Sequence, residues 1–156
     1  MFTENFLTMG LKVMIVDDDP VFVMMHKLRV KLSKLATNPL TFLNGKAAIE
    51  AIISDTDVDD SYLLLLDLNM PIMDGWDFLN AIQQNPKCKN IYVAVISSTI
   101  DKEEKAKARS YPQVIGFYEK ALTGNICEEI KSNPNIAPFY AWFLNFTKRK
   151  ALELIF

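Results

Sequence analysis

The feature that most limits the fold of this chain is an unbroken apolar run at residues 62–66 that ends in one carboxylate, Asp67. A strand that is apolar at every position, rather than alternately, is typical of a parallel sheet covered by helices on both faces. A second apolar run, at 13–16, leads into the three aspartates at 17–19. Because ligands of open α/β sheets bind beyond the carboxyl ends of the strands, these acids are candidate site residues.

Strands and helices are predicted to alternate along the whole chain. Apolar runs predict strands at 11–16, 40–43, 62–66, 91–96 and 114–118, and helical patterns follow from Pro20 and at 47–53, 76–84, 101–109 and 125–132. This alternation predicts an α/β domain in which a five-stranded parallel sheet is the middle layer of a three-layer α/β/α sandwich.

Apolar residues line one side of the first predicted helix. Asp19 suits its N-cap and Pro20 its first turn. The apolar residues recur every three or four positions and predict one buried stripe, made of Val21, Met24, Met25, Leu28, Leu32 and Leu35. Met24 and Met25 are accordingly interpreted as core residues, and His26, beside the stripe, as a surface or packing residue.

Composition limits the class of protein. Half of the 156 residues are apolar and the net charge is −2, which fits one globular domain and offers no basic stripe for nucleic acid. Cys88 and Cys127 are too few and too far apart for a disulfide framework or a zinc site, so reduced thiols are expected. Because no stretch looks like a signal peptide or a membrane span, we expect a soluble cytoplasmic protein.

Four strand ends carry a resemblance to a known family. The residues are the pair Asp17-Asp18 after the first strand, Asp67 with the Met-Pro-Ile-Met-Asp-Gly turn at 70–75 after the third, Ser97 after the fourth and Lys120 after the fifth. In this respect the sequence resembles the receiver domain of two-component response regulators, over about residues 11–132. The resemblance implies a flavodoxin-like fold with strand order 2-1-3-4-5.

The resemblance also implies a phosphoacceptor. Asp67 would attack the phosphorus of a phosphohistidine, on a histidine kinase or a phosphotransfer protein, and become an aspartyl phosphate. It implies a Mg²⁺ held by the side chains of Asp18 and Asp67, by the backbone carbonyl of Asn69 and, through water, by Asp17. Oxygen ligands of this kind select a hard cation.

Further roles follow from the resemblance for the remaining strand ends. The Ser97 hydroxyl and the Lys120 ammonium would each hold a phosphoryl oxygen. Phe117, three residues before Lys120, occupies the position of a switch aromatic. Asn69 and Thr99 occupy positions that tune the lifetime of the phosphate, and their small side chains predict minutes rather than days.

The resemblance predicts a stand-alone response regulator that signals by binding a downstream protein through the face around the fourth helix and fifth strand. It would be an enzyme only in its own phosphorylation and dephosphorylation at Asp67. The alternative is an interaction module that keeps the acids but does not switch. A haloacid-dehalogenase-like phosphatase also uses a strand-end Asp, but it would need a second acid where this chain has Asn69.

One departure from the family pattern concerns the residue after the site lysine. Family members usually carry a cis proline there, whereas this chain has Ala121. Because a cis bond before a residue other than proline costs about 2.5 to 4 kcal/mol, we predict a trans Lys120–Ala121 bond, or a cis one if the phosphate site imposes it.

The chain divides into an N-terminal extension (1–10), the receiver domain (11–132) and an aromatic C-terminal helical extension (133–156). In the extension Phe139, Trp142, Phe143 and Phe146 fall on one helical face. We favour an added helix that packs on its own domain, because such aromatics rarely stay exposed. Alternatively it docks a partner or a second copy of the chain, giving a homodimer through this helix or through the fourth-helix face. Membrane binding is the weakest reading, since the basic cluster is short.

Overall fold

The computed structural model of the protein describes residues 10–57, 59–99 and 101–155, except for the side chains of residues 142–148. The strands are β1 (Leu11–Val16), β2 (Leu40–Phe42), β3 (Ser61–Leu66), β4 (Ile91–Ser97) and β5 (Val114–Glu119). The helices are α1 (Pro20–Leu32), α2 (Gly45–Ser54), α3 (Gly75–Gln84), α4 (Lys102–Arg109), α5 (Gly124–Ser132) and α6 (Ala137–Ile155). Apart from Gly10, the predicted N-terminal extension lies outside the described residues.

The five strands form one parallel sheet in the order β2-β1-β3-β4-β5, which confirms the predicted flavodoxin-like fold. In the register, Val16 pairs with Leu66, Leu66 with Val95, and Ser97 with Glu119. The pairing continues past the strands, because the Asp67 N–H donates to the Val16 carbonyl at 2.9 Å. The carboxyl ends of the four strands that carry candidate site residues are therefore nearly level at one edge.

Helices cover both faces of the sheet, which explains the unbroken apolar run in β3. Leu64 and Leu66 belong to the core beneath α2, α3 and α4, whereas Leu63 and Leu65 belong to the core beneath α1 and α5. Every residue of β3 is buried. A strand with a core on each side has no face for polar residues, so alternation is absent.

The predicted buried stripe of α1 is wrong for its helical residues. Five of its members expose between 47% and 67% of their surface: Val21, Met24, Met25, Leu28 and Leu32. Leu35 alone is buried, and it lies beyond the end of the helix. His26 and Val30 face the sheet instead. The helix has two apolar sides, and the spacing that predicts a helix does not say which side turns inward.

His26 is buried, with 2% of its surface exposed. Its Nε2 accepts a hydrogen bond from the Leu122 N–H at 3.3 Å, and its ring lies against Phe22. Burial lowers the pKa of His26, with a smaller opposing effect of Asp17. His26 is thus a packing residue that satisfies a backbone donor in the loop after β5, which agrees with the packing alternative.

The C-terminal extension forms the additional helix α6, whose first part packs on its own domain. Ile136, just before the helix, is fully buried, and Phe139 and Tyr140 pack against the core beneath α1 and α5. The Tyr140 hydroxyl donates to the Leu35 carbonyl at 2.5 Å. The side chains of Trp142, Phe143 and Phe146 lie outside the described part of the chain.

Further along α6 the apolar side chains are exposed: Leu152 by 55%, Leu154 by 86% and Ile155 by 73%. The expectation that α6 packs on its own domain thus holds for the beginning of the helix. Within the described residues, no helix has the length and hydropathy needed to cross a bilayer.

Candidate functional site

The strand ends bring three carboxylates and one ammonium together. Carboxylate oxygens of Asp17, Asp18 and Asp67 lie within 4.8 Å of one another. Lys120 Nζ lies 2.7 Å from Asp17 Oδ2 and 3.3 Å from Asp67 Oδ2. The structure therefore places these four predicted site residues in one cluster at the carboxyl edge of the sheet.

Most of this cluster is buried, which sets its electrostatics. The side chains of Asp17, Asp67 and Lys120 expose only 2%, 4% and 9% of their surface. Burial raises the pKa of Asp67, Lys120 opposes that shift, and Asp17 adds to it. Burial alone would lower the pKa of Lys120, but hydrogen bonding to Asp17 and the charges of both acids raise it. The cluster favours a charged lysine and leaves the acids in need of positive charge.

The residues present fit a magnesium ion. Asp67 Oδ1 is buried and has no hydrogen-bond partner among the described residues. Asp18, which is more open to solvent than Asp17, completes a set of oxygen donors. Oxygen-only donors suit Mg²⁺, which keeps several of its waters. A hard cation bound among these donors would supply the partner that the buried Asp67 Oδ1 lacks.

Asn69, Ser97 and Thr99 lie at the same edge. The Asn69 backbone N–H donates a hydrogen bond that lowers the pKa of Asp67. Ser97 is fully buried as the last residue of β4, and its hydroxyl accepts a hydrogen bond from the Thr99 N–H at 3.3 Å. The Thr99 hydroxyl accepts one from the Asp101 N–H, just before α4. The Ser97 oxygen is therefore held close to the backbone that leads into α4.

Phe117 lies on the opposite face of the sheet from α1. It is half-buried in β5, pairs in register with Val95, and packs against the core beneath α2, α3 and α4. The side chain is not fully enclosed by that core. Phe117 therefore lies at the boundary between that core and solvent.

The Lys120–Ala121 peptide bond is cis, so the trans prediction is wrong and its stated alternative holds. Contacts fix the loop on both sides of this bond. The Lys120 N–H donates to the Ser97 carbonyl at 2.8 Å, and the Leu122 N–H donates to His26. The trans prediction rested on the intrinsic preference of a peptide bond before alanine. The contacts of this loop with β4 and α1 are not visible in the sequence.

Two residues near the cluster were not predicted as site residues. Phe22, in the first turn of α1, places its ring 4.3 Å from Lys120 Nζ, a cation–π contact. Gly75, the first residue of α3, packs directly against the strand end: a Cβ there would lie 2.7 Å from the Asp67 carbonyl oxygen and from Leu68 Cα. The glycine of the 70–75 turn was a visible signal for close packing, whereas nothing in the sequence links residue 22 to residue 120.

A second acidic group lies at the opposite edge of the sheet. Lys12 Nζ lies 2.6 Å from Asp55, 3.2 Å from Asp57 and 3.0 Å from Asp60. The contact with Lys12, supported by the Tyr62 hydroxyl, lowers the pKa of Asp55 to about 2. Because Lys12 contacts all three of these carboxylates, and none of their oxygens is buried without a partner, this group is a structural ion-pair network.

Ile72 holds a strained backbone beside the site. Its φ is +70°, and the Met73 N–H donates to the Pro71 carbonyl at 2.8 Å, which makes a γ-turn of the rare positive-φ type. The side chain of Ile72 is 78% exposed. Isoleucine at this position gains no stability from burial, and its backbone conformation is unfavourable for a β-branched residue.

Replacement of Ile72 by asparagine, which tolerates positive φ, should raise the free energy of unfolding by about 1 kcal/mol. Chemical denaturation at pH 7 measures this change. Leu43→Asn is the matched control, because Leu43 is also exposed but has no positive φ, so no gain is expected. Equal effects of the two substitutions would show that the gain does not come from the backbone of Ile72.

Comparison with known proteins supports the family indicated by this geometry. Chemotaxis protein CheV1 of Helicobacter pylori is 30% identical over 99 residues, which cover 63% of this chain but only 30% of CheV1. Protein PilG of Pseudomonas aeruginosa is 31% identical over 100 residues, 64% of this chain and 70% of PilG. The chain therefore spans less than a third of CheV1 and somewhat over two thirds of PilG.

Solved structures agree with the fold. A response regulator receiver protein from Dyadobacter fermentans superposes with a TM-score of 0.68 at 28% identity, over 78% of this chain and 95% of that one. A two-component response regulator from Cytophaga hutchinsonii gives 0.67 at 22% identity, over 86% and 97%, and supports the fold alone. The family model of the response regulator receiver domain matches residues 13–124. Since that match spans well over half of the chain, the protein belongs to the response regulator receiver domain family.

Proposed function

We propose that the protein is a phosphoacceptor of two-component signalling, in which Asp67 takes the phosphoryl group of a phosphohistidine. A carboxylate oxygen of Asp67 attacks phosphorus, a P–O bond forms, the P–N bond breaks, and the imidazole leaves with the electron pair. The observation that carries the proposal is Asp67 Oδ1, a buried oxygen without a hydrogen-bond partner among the described residues, beside Lys120.

A magnesium ion belongs to the proposal. Asp18, Asp67 and the Asn69 carbonyl would hold it directly, and Asp17 through water. When bound, Mg²⁺ supplies positive charge that offsets the charge of the transferring phosphoryl oxygens. The clustering of the three carboxylates supports this assignment.

Lys120 and Ser97 would bind the remaining phosphoryl oxygens. The contacts of Lys120 Nζ with Asp17 and Asp67 support its role, because they hold the ammonium next to the carboxylate that would receive the phosphoryl group. The Ser97 hydroxyl accepts a hydrogen bond from the Thr99 N–H, in the segment that leads into α4. A hydrogen bond from that hydroxyl to a phosphoryl oxygen would therefore pull this segment toward the phosphoryl group. Thr99 and Asn69 would control how easily water reaches the phosphoryl group. Their small side chains would let water remove the phosphate within minutes.

The output is proposed to be protein binding at the face of α4 and β5, with Phe117 as the switch side chain. The proposed partners are a histidine kinase or phosphotransfer protein and a downstream protein, not nucleic acid. A homodimer through this face or through α6 belongs to the same proposal. The proposed setting is the cytoplasm, in keeping with the free cysteines Cys88 and Cys127.

Incubation of the protein with acetyl phosphate and Mg²⁺ tests the proposal. We expect intact-mass spectrometry to show one added phosphoryl group, because a small donor needs no docking surface. The added group should be lost in hydroxylamine, which cleaves acyl phosphates but not phosphoserine. EDTA should abolish the labelling.

The competing function is a receiver-like interaction module that does not switch. It predicts no added phosphoryl group under any of these conditions. A hydroxylamine-resistant label, or labelling that is equally fast in EDTA, would contradict the aspartyl phosphate or the role of the metal.

A further inference from the structure

Three groups contact the Lys120 ammonium, and one of them is an aromatic ring. Lys120 Nζ lies 2.7 Å from Asp17 Oδ2, 3.3 Å from Asp67 Oδ2 and 4.3 Å from the centre of the Phe22 ring. The lysine side chain exposes only 9% of its surface. Because water is largely excluded from this ammonium, its attraction to the ring face is stronger than the same contact at an open surface.

The proposed reaction affects these three groups differently. Asp67 receives the phosphoryl group and is a candidate metal ligand, and Asp17 is a candidate ligand through water. Both carboxylates would therefore share or lose negative charge during the reaction and attract the ammonium less strongly. The Phe22 ring takes part in none of these bonds. Of the three contacts of Lys120 Nζ, the one with Phe22 is the one that the reaction leaves unchanged.

The start of α1 places Phe22 beside the site. Asp19 is the N-cap, and its side chain accepts a hydrogen bond from the Val21 N–H at 2.8 Å. Pro20 is the first helical residue, so α1 begins shortly after β1 and its first turn lies at the carboxyl edge of the sheet. Phe22 belongs to this first turn and is half-buried.

His26 supports the Phe22 ring one turn further along the helix. The two residues are four positions apart, so they lie on the same side of α1, and their ring centres are 5.7 Å apart. His26 is buried, and its Nε2 accepts a hydrogen bond from the Leu122 N–H. The Lys120 ammonium and the backbone two residues later therefore both contact the inward side of α1.

We propose that Phe22 is a positioning residue of the phosphoryl transfer, whose ring face holds the Lys120 ammonium beside the incoming phosphoryl oxygens. The inference rests on the proposed phosphoacceptor function and adds to it a residue of α1. A lysine side chain is flexible, and its charge stabilises a transferring group best when it is already in place. The ring provides this support without competing for the metal, because it carries no ligand atom.

Ring fluorines distinguish this role from simple packing. Replacement of Phe22 by phenylalanines with one, two or three ring fluorines changes its size little, but each step weakens the negative face of the ring. Labelling by acetyl phosphate in Mg²⁺, followed by intact-mass spectrometry, should slow at each step. With three fluorines we expect it to be at least about threefold slower. Because acetyl phosphate needs no docking surface, loss of a contact with a donor protein does not explain such a result.

Phe139 is the matched control ring. It is also half-buried, it packs against the core beneath α1 and α5, and it forms no cation–π contact within the described part of the chain. Three fluorines on Phe139 should leave the labelling rate unchanged. Phe22→Leu, which keeps an apolar side chain but loses the ring, should slow labelling by about tenfold. Phe22→Tyr, which keeps the ring face, should stay within about twofold of the wild type.

Two further measurements show whether Phe22 acts through Lys120. In a double-mutant cycle, Phe22→Leu should slow labelling by less than about twofold when Lys120→Met is already present, because the group that the ring positions is gone. In NMR spectra of the metal-free protein, the ε-methylene protons of Lys120 should be shifted upfield by the ring, and Phe22→Leu should remove that shift. The NMR result does not depend on labelling.

Three results would overturn the proposal. They are equal labelling rates along the fluorine series, labelling of Phe22→Leu at the wild-type rate, and the same slowing by Phe22→Leu with and without Lys120→Met. A wild-type protein that takes no phosphoryl group would instead refute the proposed phosphoacceptor function itself. The two failures are therefore distinguishable.

Discussion

Replacement of Asp67 by asparagine should leave a folded protein that takes no phosphoryl group from acetyl phosphate. An amide oxygen is a far weaker nucleophile than a carboxylate, and the substitution also removes one negative ligand from the proposed magnesium site. Intact-mass spectrometry should show no more labelling than the background of the method. Asp67→Ala should behave in the same way.

The fold should tolerate the Asp67→Asn change because the two side chains have the same shape. Burial raises the pKa of Asp67, Lys120 opposes that shift and Asp17 adds to it, so the folded state stabilises the charge of this carboxylate less well than water does. A neutral amide removes that cost, while Lys120 keeps its contact with Asp17. We therefore expect no fall in the thermal midpoint in EDTA.

Asp59→Asn is the matched control, because Asp59 is an exposed carboxylate away from the cluster. It should be labelled as the wild type is. Full labelling of Asp67→Asn in Mg²⁺ would refute the assignment of the phosphoacceptor.

Replacement of Gly75 by alanine should damage both the fold and the site. A Cβ at this position would lie 2.7 Å from the Asp67 carbonyl oxygen and from Leu68 Cα. Both are backbone atoms, so either α3 or the end of β3 must move. We expect the free energy of unfolding to fall by about 1 to 3 kcal/mol, the usual cost of overpacking. Labelling by acetyl phosphate should slow by about tenfold, because displacement of Asp67 disturbs its alignment with Lys120.

Gly124→Ala is a control at the equivalent position of another helix. Gly75 follows the N-cap Asp74, and Gly124 follows the N-cap Thr123. A Cβ on Gly124 meets only Arg29 Nη1, at 3.9 Å. Chemical denaturation should therefore show no loss for Gly124→Ala. Helix propensity alone would favour alanine at both positions. Similar losses for both variants would therefore mean that the contact of Gly75 with the end of β3 does not decide the outcome.

The fold was predictable because buried parallel strands have a simple sequence pattern. β1 begins and ends where predicted, β3 begins one residue earlier than predicted, and β4 ends one residue later. The cluster of Asp17, Asp18 and Asp67 was predictable for the same reason, since strand ends of one parallel sheet meet at one edge.

The rotation of α1 was not predictable from spacing. Apolar residues occupy the outward side of the helix, while the side that faces the sheet includes a polar residue, His26. Only the Leu122 N–H, nearly a hundred positions away in sequence, explains why an imidazole is stable there. The cis bond at Ala121 and the contact of Phe22 with Lys120 likewise depend on segments far apart in sequence.

Residues that follow the last strand donate hydrogen bonds to the turn at the end of α1. Lys131 Nζ donates to the Ser33 carbonyl at 2.6 Å, and the Tyr140 hydroxyl donates to the Leu35 carbonyl. The Ser33 carbonyl belongs to the C-cap of α1 and the Leu35 carbonyl to the turn after it, so these two donors fix that turn, and the Lys131 cation interacts well with the helix dipole. The smallest fragment with these carbonyls satisfied thus ends after Tyr140, about a turn into α6, so boundaries for expression or domain fusion belong there and not at residue 132.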